Sequence, residues 1–221
     1  MGLIDMIPVS VRLGSLYVKA RKIAEAGDKS NEEKLQQIYR LERHWSGKSG
    51  FDPTTVGHLQ APAIYIGKKD MARIFTTLHA PDDALRYADG LGDQIMDFLC
   101  RMPDDKDGAN RRASVYEAQV FAWYYEAVAH AQKNDIERTR LLFSKINQNM
   151  LATIEADPAN KRLNDVYHYM INETFETFVS YTDMYPDNKQ QALRLLLNLL
   201  KTFDRRDPGN ELIAELMGRY K

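Results

Sequence analysis

Apolar residues recur at three- and four-residue spacing through most of this chain, a period that leaves room for little except α-helix. Residues 9–26 place Leu13, Leu16, Tyr17, Ala20 and Ile23 on one stripe, which Gly27 stops. Ser30 and Glu33 have capping-box spacing, and the helix they open carries Leu35, Ile38, Leu41 and Trp45 as far as Gly47. Residues 46–53 are predicted to be loop. Around Pro62 the pattern predicts one short helix before the proline and another after it, with Met71, Ile74, Phe75 and Leu78 inward. Only Ala63–Ile66 could pass for a strand, and it is too short to carry a sheet.

Pro81, followed by Asp82 and Asp83, suits a helix first turn. The stripe from there, Leu85, Ala88, Leu91, Ile95, Phe98 and Met102, predicts a single helix that carries Gly90 and Gly92 inside it. Each glycine costs that helix about 1 kcal/mol against alanine, and a close helix crossing would be one reason to keep them. Residues 103–110 are polar, rich in turn formers and without apolar anchors. The expected organisation is one helical domain over 1–221, with a seam that could divide it into N-terminal helices at 1–103 and C-terminal helices at 110–221.

Beyond the seam, helices are expected over 111–132, from a start at Asn134 with Glu137, and over 161–185. A segment apolar on nearly all sides, Ala192–Phe203, is expected to be central, and a last amphipathic helix runs over about 210–220. Three turns resemble one another: Asp157-Pro158-Ala159-Asn160, Tyr185-Pro186-Asp187-Asn188 and Asp207-Pro208-Gly209-Asn210. Each sets a proline where a helix can begin and an Asn or Asp where an orphan N–H needs an acceptor. Such short links force antiparallel neighbours. The fold class is therefore all-α: about ten helices in antiparallel hairpins, either stacked or gathered in an irregular bundle.

Ala122-Trp123-Tyr124, Ala127, the turn Asn134-Asp135-Ile136 and Phe143 resemble, in order, the aromatic opening, the small crossing residue, the inter-helix turn and the second-helix aromatic of a tetratricopeptide-type repeat. Leu13-Gly14 with Tyr17 echoes the opening near the N-terminus. His130 stands where that family has Tyr and Thr139 where it has Ala. Prolines 158, 186 and 208 are 28 and 22 residues apart rather than in one fixed repeat. The resemblance implies a superhelical stack and a protein-binding groove, with Phe121, Tyr124 and Val128 on or near it.

No set of residues for nucleophilic catalysis or phosphate cradling is present: no Gly-x-Ser-x-Gly, no Walker motif and no Gly-x-Gly-x-x-Gly. Glu126 and His130 share a helix face at i, i+4, and Asn164, His168, Asn172 and Glu176 form a polar ladder on another helix. Gln119, Trp123, Glu126 and His130 make a comparable ladder. These could wall a pocket for a small ligand or a metal, but no Glu-x-x-His or His-Glu-x-x-His occurs, and no cofactor is expected. Trp123 is expected in the core. The lone Cys100, beside Leu99 and Met102, is expected as a small buried apolar group in a reducing compartment.

Thirty Lys and Arg oppose 31 Asp and Glu, so nucleic acid is a poor partner, although residues 19–48 hold a local basic excess. No run is apolar and long enough to span a membrane, and the start lacks the basic-then-apolar order of a secretory leader. The expected function is a non-enzymatic protein–protein interaction module, a cytoplasmic adaptor or regulatory scaffold that binds a protein or peptide. The alternative is a helical-bundle ligand-binding protein or metal-dependent enzyme with a pocket of Glu126, His130 and His168. A self-complementary apolar stripe would make the chain a homo-oligomer.

Overall fold

The computed structural model describes residues 7–46, 51, 60–102 and 106–219, without the side chains of 106–111. The described residues form ten α-helices and one 3-10 turn, and no strand. The chain divides into two compact units, 1–125 and 126–221.

The first unit holds α1 (Val9–Ala24), α2 (Asn31–Ser46), α3 (Ala61–Thr77), α4 (Pro81–Ala88) and α5 (Leu91–Arg101), with the larger part of α6 (Lys106–Gln132). Helix α1 packs on α2 and α3, α3 on α4 and α5, and α4 on α5. Leu13, Leu16 and Ala20, Ile38, and Ile64, Met71 and Phe75 are all buried, so the stripes read from α1, α2 and α3 are the faces that pack inward. Ser30 and Glu33 do form the capping box, each side chain bonding the other's backbone N–H at 3.2 and 2.9 Å.

Two polar features tie α2 into this unit. Arg12, 2% exposed, sends its guanidinium to the carbonyls of Trp45 and Ser46, the orphan acceptors at the end of α2. Between α2 and α4, Tyr39 donates to Asp83, Tyr87 donates to Glu42, and Arg86 grips Glu42 with both nitrogens (3.1 and 3.2 Å). The rings of Tyr39, Phe75 and Tyr87 stack beside this network.

Two expectations fail here, each for a physical reason: the single helix from Pro81 to Met102 and the burial of Cys100. The strand-like Ala63–Ile66 lies inside α3, which starts at Ala61. Pro62 falls in its first turn, where a missing N–H breaks no hydrogen bond. The short helix expected before Pro62, and most of the 46–53 loop, lie outside the described residues. The single helix predicted from Pro81 to Met102 is two. Gly90 takes φ +64°, a left-handed conformation closed to most side chains, and the chain turns there between α4 and α5. Cys100 is exposed, not buried, because it falls on the outer face of α5 while Ile95 and Phe98 turn inward. Lys106–Asn110, in the polar stretch expected as a seam, form the opening turns of α6, and the division between the two units falls at 125/126.

The second unit holds the end of α6, α7 (Ile136–Ala156), α8 (Lys161–Met184), the 3-10 turn Pro186–Asn188, α9 (Lys189–Arg206) and α10 (Glu211–Gly218). Helix α7 packs on α8 and α9, α8 on α9 and α10, and α9 on α10. Helix α9 is central to this unit but not apolar all round: Ala192, Leu196, Leu199, Leu200 and Phe203 are buried, while Arg194, Asn198 and Lys201 face water.

Two of the three similar turns are built alike. In each, the Asn N–H bonds the Asp carbonyl (3.2 and 3.3 Å) and the Asn amide donates to the Asp carboxylate (Asn160 to Asp157, 3.0 Å; Asn210 to Asp207, 2.7 Å). The Asn oxygen then caps the next helix at Leu163 N–H in one case and at Leu212 and Ile213 N–H in the other. The third turn departs from this pattern. Asn188 caps nothing; its amide reaches Asn134 Oδ1 (2.9 Å) and the Tyr181 hydroxyl (3.2 Å).

Candidate functional site

The stretch Ala113–Ala131 contains no Gly or Pro, which suits the long helix α6. Phe121, Tyr124 and Val128 follow one another on it at i, i+3 and i+7, and all three are half-buried. Phe121, Tyr124 and Tyr125 form a ring cluster in the first unit. Phe121 meets Tyr124 edge-on at 6.3 Å between centroids and Tyr125 at 6.1 Å, and the two tyrosines lie 5.0 Å apart. The Lys69 ammonium, from α3, stands 6.0 Å from the Phe121 ring and is paired with Asp70 at 2.5 Å. Tyr125 is buried, so Phe121 and Tyr124 are the rings that offer apolar area, with the Tyr124 hydroxyl and the neighbouring cation as polar handles.

The neighbouring ladder on α6 serves packing. Gln119, Trp123 and Glu126 are buried. Trp123, 1% exposed, donates its indole N–H to Asp93 Oδ1 at 3.0 Å and packs so tightly on Gly92 that an added Cβ would lie 2.3 Å from the ring. The close crossing anticipated for the glycine pair is therefore real at Gly92, while Gly90 is needed for its backbone angle.

In the second unit, Glu126 accepts from Arg138 Nη2 (3.1 Å) and His130 Nδ1 lies 3.2 Å from Asp135 Oδ2. Both side chains thus brace the corner between α6 and α7. Thr139 is fully buried and donates to the Ala127 carbonyl at 3.1 Å across the same corner. The start of α7 is capped one residue later than expected: Asp135 accepts from the Arg138 N–H (3.1 Å), and Asn134 takes φ +63° to end α6.

The α8 ladder faces water. His168, Asn172 and Glu176 are exposed, and Asn172 donates to the His168 carbonyl (3.3 Å). Asn164 is half-buried and donates to the Asn160 carbonyl (3.2 Å). His168 is thus exposed whereas Glu126 is buried. Among the described residues, no three His, Cys, Asp or Glu side chains gather as a metal site would need.

Sequence reasoning missed the groups that lock the second unit. Tyr185 donates to the Gln132 carbonyl and Tyr181 to Asn134 Oδ1, both at 2.6 Å, so the end of α8 grips the α6–α7 corner. Tyr167 accepts from Asn147 (3.1 Å) in the interior, and burial, together with the nearby Asp207 carboxylate, pushes its hydroxyl well above the ordinary tyrosine range. Nothing local marks these tyrosines; their partners stand 20 to 53 residues away.

A cleft of about 150 Å³ lies in the first unit between α1 and α3, lined by Tyr17, Arg21, Ala24, Arg73, Ile74 and Thr77 among others. Among the described residues, no helix is long and apolar enough to cross a membrane. No family model, no curated protein and no solved structure matches the chain.

Proposed function

We propose that this chain is a non-catalytic interaction module, a cytoplasmic adaptor or scaffold, that binds a protein or peptide segment at the aromatic face of α6. The observation that carries this reading is the half-buried pair of rings Phe121 and Tyr124, backed by the buried Tyr125 and edged by Lys69. Aromatic side chains of this kind are the residues that anchor protein interfaces, because they bring large apolar area with few rotatable bonds. Val128, at i+7 from Phe121 on the same helix, falls in the second unit.

The tetratricopeptide-like arrangement belongs to the same proposal. Two features favour it: α7 to α10 pack next to next and next but one, and their two hairpins close on near-identical Asp-Pro-x-Asn turns. The Glu/His pocket alternative finds no comparable support, since Glu126 and His130 are engaged with Arg138 and Asp135.

The test is to pan a displayed peptide library on the full chain and counter-select on the Phe121→Ala/Tyr124→Ala variant. The proposal expects an enriched peptide family that the variant fails to hold. A library that enriches nothing, or peptides held equally by both proteins, would refute it.

A further inference from the structure

Helix α1 presents an outer face that stays exposed among the described residues of the first unit. Val11 and Val18, two turns apart, are 53% and 52% exposed, the two most exposed of the large apolar side chains among the described residues. Gly14 stands between them on the same face, mid-helix and exposed. Its φ is not positive, and a Cβ added there would meet nothing within 4 Å. The folded chain itself thus has no use for a residue that weakens the helix. A notch between two valines lets the backbone of a second helix approach closely.

The α1–α3 cleft opens along the flank of this face, with Ile74 and Ala24 as apolar lining. Its charged groups are Arg21 and Arg73, set against Glu25, which pairs with Arg21 at 2.6 Å. Helix α1 contains Arg12, Lys19, Arg21 and Lys22 and no acidic residue. Arg12 is spent on the α2 carbonyls, and Lys19 lies over the Trp45 ring at 4.7 Å. Lys22 and Arg73 are exposed, and no acidic group among the described residues pairs with either.

We propose that this surface docks an acidic amphipathic helix of a partner protein, its apolar ridge seated on Val11, Gly14 and Val18 and its carboxylates facing Lys22 and Arg73. Charge decides the occupant. A second copy would bring the same cations face to face, at a cost. An anionic polymer or lipid surface would satisfy the cations but has no need of a helix-wide notch. No residue of this surface belongs to the aromatic cluster of α6, so either proposal can fail without the other.

The experiment uses the full chain and a displayed library of short amphipathic helices made in two versions, with Glu or with Lys at the polar positions. Binding is then titrated for the selected peptides and for anionic vesicles. The acidic version should enrich and the basic version should not. Val18→Glu and the pair Lys22→Glu/Arg73→Glu should each weaken the selected peptides at least tenfold. Gly14→Leu should weaken them similarly while the melting temperature stays equal or rises, which separates lost docking from lost folding. Failure of the acidic version to enrich, equal binding by these variants, or vesicle binding in place of peptide binding would overturn the proposal.

Discussion

The link between α4 and α5 in the first unit and the two Asp-Pro-x-Asn turns in the second solve the same problem by opposite means. Both reverse a helix within a few residues. At Asp157–Asn160 and Asp207–Asn210 the Asp and Asn side chains bond inside the turn and to the first turn of the next helix, and only Asp207 also reaches further, to Tyr167. At Asp89–Gly92 the turn is completed from far along the chain: the Trp123 indole sits on Gly92 and bonds Asp93, 30 residues away in sequence. A turn stabilised locally spreads its energy over several modest bonds. A turn stabilised by one large buried ring concentrates it.

The sharpest way to break this contrast is to remove the ring. Trp123→Ala should destabilise the chain by about 3–5 kcal/mol in urea unfolding, because it deletes a buried aromatic and leaves Asp93 without its indole donor. A loss below about 1 kcal/mol would mean that the link does not depend on it. Approached from the other side, Gly92→Ala should cost about 1–3 kcal/mol by overpacking, since the new methyl must displace the indole. An unchanged midpoint would show that Trp123 has room to move.

The local turns should respond more weakly. Asn160→Ala and Asn210→Ala should each cost about 1 kcal/mol, the ordinary worth of a helix cap. The equivalent change at Asn188 should not follow that rule, because it caps nothing and instead holds Asn134 and Tyr181. If all three variants gave the same loss with the same local hydrogen-exchange footprint, the distinction between the turns would collapse.

The smallest effect concerns pH. Burial first, and then the hydrogen bond to Asp83, push the Tyr39 hydroxyl up to about 12. An unfolded tyrosine titrates near 10, so between these values the folded chain keeps a proton the unfolded chain has lost. The stabilisation from this site is complete below pH 10 and fades as pH rises towards 12. Tyr39→Phe should flatten that decline in an alkaline unfolding series; an identical decline in the variant would place its origin elsewhere.

The same division explains what could be read in advance. The helical class, the stripes of α1 and α2, the Ser30–Glu33 box and both Asp-Pro-x-Asn turns follow from chemistry within a few residues, and all were legible. The break at Gly90 was not, because its neighbours continue a helical stripe and only the left-handed backbone reveals it. Cys100 was misplaced for a related reason: Leu99 and Met102 suggested an apolar setting, but the register of the shorter α5 turns the thiol outward. At the candidate site, the stripe of Phe121, Tyr124 and Val128 was visible as periodicity. That Glu126 and His130 brace a corner rather than face a ligand depends on Arg138 and Asp135, which lie across the α6–α7 turn.

The central claim is that the half-exposed rings of α6 bind a partner, whereas the buried ring beside them holds the fold. A paired titration and thermal melt of wild type, Phe121→Ala/Tyr124→Ala and Trp123→Ala with one library-selected peptide tests both halves at once. The account predicts at least tenfold weaker binding with a nearly unchanged melt for the first variant, and a large fall in melting temperature for the second. Full peptide affinity in the Phe121→Ala/Tyr124→Ala variant, with its melt intact, would contradict it.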